Sequence, residues 1–238
     1  MADPVADGSD PPGRTVLFDK DGTLIEDVPF NVDPARIRLV PGVEASLRRL
    51  GAAGFAAAVV TNQPGVARGY FTLRDLDAVR DRVAGLLVEQ GVTLRGFYAC
   101  PHFPMGSVAE FAIACDCRKP GGGLVRRALE ELRLVAAETW MVGDSWADVA
   151  AGRSAGCRTL LVGPEWRLGA LLPPGRRPEV AAPDLPTGIE VILERLDDGQ
   201  AETMGARERA RGRARGRGPQ TPDADDRRRS VEGALPQL

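Results

Sequence analysis

Apolar positions along the chain follow two different periods. Residues 15–18, 55–60, 139–142 and 158–162 are short, nearly unbroken apolar runs, the pattern of strands buried on both faces. Residues 96–99 form a shorter run of the same kind. Between these runs apolar residues return every three or four positions, the period of a helix with one buried face. Val43, Leu47 and Leu50 mark such a face over residues 42–50. Leu73, Leu76, Val79, Val83, Leu86 and Leu87 mark a longer one, opened by Thr72 and Asp75 at capping-box spacing and closed near Gly91. Residues 124–134 and 145–154 read as two more helices, the second stopped by Gly156. Leu185, Ile189, Ile192 and Leu196 mark a last one.

Strands that alternate with helices predict an α/β fold with a central parallel sheet covered on both faces. Ligands in such sheets sit beyond the carboxyl ends of the strands, and Asp19, Thr61 and Asp144 fall there. The organisation expected is a polar, Pro-rich lead-in over 1–14, one domain over 15–198, and a tail over 199–238. The tail carries Arg-Gly repeats and few large apolar residues, too few to order it.

Composition narrows the function classes. The 238 residues are 43% hydrophobic and carry a net charge of −2, so the whole chain is not a nucleic-acid magnet. That average hides a split: 22 basic against 27 acidic residues up to position 198, and 9 against 6 beyond it. The first residues have neither a basic segment nor an apolar core of the signal-peptide type, and no run approaches the ~18 apolar residues of a membrane span. A cytoplasmic monomer is therefore expected, with no membrane partner. Four cysteines in such a chain argue for metal binding before disulfides.

Two clusters carry chemistry. In Asp19-Lys20-Asp21-Gly22-Thr23-Leu24 two carboxylates two residues apart follow a strand. One can attack while the other moves a proton. In Cys100-x-His102 and Cys115-x-Cys117, three of the four cysteines meet the only histidine within residues 100–117. Two such pairs closing on one ion suit a tetrahedral Cys₃His zinc site. Four protein ligands fill its shell, so the zinc is expected to brace the loop, where such sites contribute ~10–16 kcal/mol.

The stretch 18–24 resembles the first motif of the haloacid dehalogenase-like (HAD) phosphatases. Thr61 at the end of its strand resembles their second, Lys119 before Pro120 their third, and Gly143-Asp144-Ser145-x-x-Asp148 their fourth, in family order. The resemblance implies a Rossmann-like three-layer sandwich and hydrolysis of a phosphomonoester on a small phosphorylated metabolite. Asp19 would be the nucleophile, Asp21 the proton donor and acceptor, and Thr61 and Lys119 would hold the phosphoryl oxygens. A dianion meeting a carboxylate is repelled, by about 4 kcal/mol per charge pair at 4 Å in an effective dielectric of about 20. Mg²⁺ on Asp19, Asp144 and the Asp21 backbone carbonyl would offset this. The chain has only two lysines, Lys20 and Lys119, against 29 arginines, which suits a compact point charge at 119. Asp148 stands where the helix dipole favours an acid in any case; a role supporting Mg²⁺ or Lys119 is the other reading open for it.

The cysteine loop just before Arg118-Lys119-Pro120 is similar to the zinc loop of one branch, the heptose bisphosphate phosphatases, which histidinol-phosphate phosphatases share. That branch has no large cap domain. Loops recognise the substrate, which here implies Asp27, Val28, Pro29, Phe30, Asn62, Gln63, Pro64 and Arg118. Ser145 takes a substrate-facing position where some members have Lys, which leaves the sugar and anomer preference open. The rival readings are histidinol-phosphate hydrolysis, a zinc module acting on polynucleotide ends through the basic tail, and a silent scaffold of the same fold.

Overall fold

Val16, Leu17 and Phe18 have no solvent exposure, and the strand that carries them, β1 (Arg14–Phe18), lies inside the sheet. In this computed structural model residues 14–169 and 172–195 are described. β2 (Phe55–Asn62), β3 (Leu94–Cys100), β4 (Trp140–Gly143), β5 (Arg158–Leu161) and the two-residue β6 (Val180–Ala181) complete a six-stranded sheet. All pairs are parallel, in the order β3-β2-β1-β4-β5-β6.

Four helices cover it: α1 (Glu44–Ala52), α2 (Asp75–Val88), α3 (Gly123–Glu131) and α4 (Trp146–Ser154), with a terminal helix over 185–195. The chain steps one way from β1 to β3 and the other way from β4 to β6. Right-handed crossovers then put α1 and α2 on one face and α3 and α4 on the other. On the second face Leu124, Val125, Ala128 and Leu129 pack with Leu17, Ala58, Val60 and Tyr98 in one buried cluster. No helix among the described residues is long and apolar enough to cross a membrane.

The strand direction reverses its stepping between β1 and β4, so a crevice opens there. Phe18 is in register with Val142 on β4 and with Val59 on β2. The residues just past these partners, Asp19, Asp144 and Thr61, therefore come out at the same edge. Three connections wall the crevice: residues 19–43, 63–74 and 101–122. The first folds back on itself through an antiparallel bridge between Ile25 and Leu39.

Local details depart from the sequence pattern where backbone groups find other partners. β1 starts at Arg14, opposite Phe55, one residue before the apolar run. The Thr72/Asp75 pair forms, with the Thr72 N–H and Oγ1 both donating to Asp75 Oδ2 at 2.6 and 2.9 Å. It closes a turn ahead of α2, which begins at Asp75 itself. These hydrogen bonds hold the Asp75 carboxyl below its ordinary value. Leu196 and the whole 199–238 tail lie outside the described residues, as do residues 1–13.

Candidate active site

Groups from three parts of the chain meet at one ammonium group. Lys119 Nζ lies 2.6 Å from Asp19 Oδ1 and 2.6 Å from Asp148 Oδ1, and it donates to the Val60 carbonyl at 2.7 Å. Lys119 and Asp148 are buried, their side chains 2% and 1% exposed, and Asp19 is half-buried. Burial alone would lower the Lys119 pKa, but Asp19 and Asp148 outweigh it and the group is held above its usual value. Asp148 owes its place to α4. Its Oδ2 accepts from the Ser145 N–H at 3.1 Å and from Ser145 Oγ at 2.5 Å, a capping arrangement that points Oδ1 at the lysine.

Asp144 completes the acidic group. Asp19, Asp144 and Asp148 each offer a carboxylate oxygen within 4.8 Å of the others. Gly22, at φ +76°, makes room for this, since a Cβ there would overlap the Asp144 carboxylate. Gly143 does the same for Asp148. Burial pushes Asp19 up to about 7 against the pull of Lys119, with Asp148 adding to the rise. Burial and then the Asp148 charge push Asp144 up to about 6. Three converging acids with one lysine are short of positive charge, and oxygen donors at this spacing fit a hard divalent cation.

Asp21 faces the same crevice from the β1 loop. Lys20 Nζ donates to its Oδ1 at 2.7 Å and Gln63 Nε2 to its Oδ2 at 3.0 Å. The Gln63 amide also lies 3.0 Å from Thr61 Oγ1, so one side chain spaces Asp21 from Thr61. Asn62 works on the backbone. Its Oδ1 accepts from the Lys119 N–H and its Nδ2 donates to the Lys119 carbonyl, both at 3.0 Å. The Lys119–Pro120 peptide bond is cis.

The structure thus brings Asp19, Asp21, Thr61, Lys119 and Asp144 together. It gives Asn62, Gln63 and Ser145, which sequence reasoning assigned to substrate, partners inside the site itself. A cavity of about 200 Å³ opens beside Asp21, lined among others by Asp27, Pro29, Phe30, Gln63 and Pro64. Val28 stands in the same loop, its carbonyl accepting from the Asn31 N–H at 3.1 Å. Arg118 stacks on Phe103, its Cζ 5.3 Å from the ring centre, and borders a second cavity of about 300 Å³ that reaches Lys119. Lys20 does more than its sequence position suggested, and Asp148 takes the lysine-supporting place that was one of its two open readings. Lys20 is buried against Asp21, and its rarity in an Arg-rich chain was the one available signal. Asp148 sits in the ion pair, which spacing alone could not separate from a helix-dipole preference.

The second cluster lies at the end of β3. Cys100, His102, Cys115 and Cys117 place three Sγ atoms and the His102 Nδ1 within 4.8 Å of one another. Five of the six separations fall between 3.1 and 3.7 Å. Sulfurs on a tetrahedron with Zn–S bonds of about 2.3 Å stand about 3.8 Å apart, so the donor set fits zinc with slight expansion. All four cysteines are free thiols. Burial lifts Cys100 and, with the neighbouring thiols, Cys117, and a bound dication would reverse that by stabilising thiolates. Cys117 is two residues from Lys119, so the cluster and Asn62 hold the lysine backbone from two sides.

Residues 116–187 match the HAD-hydrolase-like family model. The D-glycero-beta-D-manno-heptose-1,7-bisphosphate 7-phosphatase of Yersinia pestis is 39% identical over 144 residues, covering 60% of this chain and 77% of that one. The chain belongs to the HAD-like phosphatases. Solved members share its fold. A Mesorhizobium loti protein assigned to the HAD-like phosphatases is 33% identical with a TM-score of 0.66, over 80% of this chain and 93% of that one. The D,D-heptose 1,7-bisphosphate phosphatase of B. bronchiseptica, solved with magnesium and phosphate, is 30% identical with a TM-score of 0.64, over 76% and 99%. This family member is accordingly a phosphomonoester hydrolase.

Proposed function

We propose that this phosphatase removes the 7-phosphate of D-glycero-D-manno-heptose 1,7-bisphosphate through a phosphoryl-enzyme on Asp19. The observation that carries the chemistry is the convergence of Asp19, Lys119, Asp144 and Asp148 at the β1/β4 crevice. The substrate rests on the named heptose phosphatases that the chain resembles. Every group of the site comes from one chain, so the reading needs no second subunit, and we place the enzyme in the cytoplasm.

Lys119 engages Asp19 Oδ1, which leaves Oδ2 to attack phosphorus. As that O–P bond forms, the bond from phosphorus to the sugar oxygen breaks, and Asp21 gives the leaving alkoxide its proton. Asp21 then takes a proton from water, whose oxygen attacks phosphorus and releases Asp19. Lys20 and Gln63 fix the Asp21 carboxyl for both transfers. Thr61 and Lys119 hold the phosphoryl oxygens as charge shifts between them. Mg²⁺ held by Asp19, Asp144 and the Asp21 carbonyl, beside Asp148, would supply the positive charge that lets a dianion approach a carboxylate. Zinc on Cys100, His102, Cys115 and Cys117 would have a full shell and a bracing role.

The test is a panel of phosphorylated metabolites with Mg²⁺, scored by kcat/KM. The reading expects the heptose bisphosphate to lead and histidinol phosphate to trail by at least about 100-fold. Equal turnover of the two, or preference for a polynucleotide end, would reject it.

A further inference from the structure

Phe30 is an unusual residue for a cavity wall. It is 46% exposed, and its φ of +55° is a left-handed conformation that a bulky side chain rarely adopts. Such a backbone persists only where surrounding contacts hold it. Two contacts do so here. The Tyr70 ring meets Phe30 edge-on at 4.8 Å, and the Arg68 guanidinium carbon lies 5.6 Å from the Phe30 ring centre. The same guanidinium lies 4.7 Å from the centre of Phe103, on which Arg118 also stacks. Arg68 is therefore shared between the loop that follows β1 and the cysteine loop.

The backbone around Arg68 belongs to the cysteine-loop side. Ser107 Oγ donates to the Arg68 carbonyl at 2.9 Å, and the Val108 N–H donates to the Ala67 carbonyl at 2.9 Å. Gly106 packs so closely on Ala67 that a Cβ would overlap it. Residues 67–68 are thus pinned to 106–108, while Phe30 is reached only by the side chains of Arg68 and Tyr70 among the ring contacts described. Arg68 Nε is buried without a hydrogen-bond partner among the described residues. A donor left so is a cost to stability, and no ion pair found among the described residues includes Arg68. What it gains is stacking on two rings, for which a planar guanidinium is suited and an ammonium less so.

We infer that Arg68 is a positioning residue that holds Phe30 against the zinc-loop side of the mouth and thereby sets how well the leaving group fits. It acts on substrate through Phe30 and does not touch the reacting atoms. The inference rests on the phosphatase reading of the cleft, and the test separates the two. Arg68→Met and Arg68→Lys are made in the full chain. Hydrogen exchange is followed over 27–31 and, as a control, over 55–62. Turnover is measured with the heptose bisphosphate and with methyl phosphate, whose leaving group is too small to reach Phe30. Arg68→Met should speed exchange over 27–31 and leave 55–62 unchanged. It should raise KM for the sugar about ten-fold with little change in kcat, and change methyl phosphate turnover by less than about two-fold. Arg68→Lys should recover part of the KM loss.

Unchanged exchange over 27–31 in Arg68→Met would overturn the inference, whatever the substrate. An equal loss on both substrates would overturn it too, because it would mean damage to the reaction centre. If the wild type itself turned over no sugar phosphate, the proposed substrate would fail, while the exchange comparison would still decide the role of Arg68.

Discussion

Lys119 shows what a single side chain can organise. It is an ammonium group surrounded by two carboxylates and a carbonyl, and 2% of it is exposed. Removing one partner from such a group leaves buried charge uncompensated, which costs about 3–5 kcal/mol. Asp148→Asn should therefore destabilise the protein by about 3 kcal/mol. It should also lower kcat/KM about 10- to 100-fold, the usual effect of losing a support one shell away from a metal. Denaturant unfolding and steady-state kinetics check both numbers. Full stability and activity in that variant would show that Ser145 and the helix dipole are all that Asp148 serves. At this scale the sequence was informative about identity and less so about partners. Asp19, Asp21, Thr61, Lys119 and Asp144 could be named from motif order and strand ends. That Gln63 bridges Asp21 to Thr61, or that Asn62 clamps the Lys119 backbone, could not be named, because a side chain's partner depends on which loops the fold brings together.

The element that ties the site to the rest of the molecule is the connection from β3 to α3. It leaves β3 at Cys100 and carries Cys115, Cys117 and, two residues later, Lys119. The cysteines pack on the same buried cluster as Leu17 and Val60, so the loop is anchored at both ends of a long excursion. Cys117→Ser should halve or abolish zinc retention, measured by elemental analysis, and speed hydrogen exchange across 101–122. Turnover should fall about 10- to 100-fold, since a small displacement of Lys119 is enough to cost that much. Normal exchange and activity in protein shown to be free of zinc would contradict the bracing role. Strands were readable as unbroken apolar runs, because both of their faces are buried, and helices from the period that one buried face leaves. The short β6 and the bridge from Ile25 to Leu39 leave no such pattern, and the turn at Thr72–Asp75 was legible only as a capping-box spacing. They are set by local hydrogen bonds and by edge pairing.

On the scale of the whole molecule, the parallel order β3-β2-β1-β4-β5-β6 decides that acids distant in sequence crowd one crevice. Without a cation this crowding is unfavourable. Asp19 is pushed up to about 7 and Asp144 to about 6, from an ordinary 3.8. For raised carboxyl groups the folded state holds the proton more tightly than the unfolded state. Their contribution is fully present below the unfolded value and is lost as pH rises through 6 and 7. The Tm of metal-free protein should thus fall between about pH 5 and about pH 8. Saturating Mg²⁺ should raise Tm more at the upper end, since it competes with protons for the same oxygens. Equal Mg²⁺ shifts at both ends would place the ion elsewhere.

The most direct test of the account is to find the phosphoryl group on the enzyme. Protein quenched in acid during steady turnover should carry one phosphoryl mass on the peptide that contains Asp19. The adduct should be lost on treatment with hydroxylamine and absent from a folded Asp19→Asn variant that no longer turns over. A phosphoryl group on any other residue, or turnover that persists in Asp19→Asn, would contradict it.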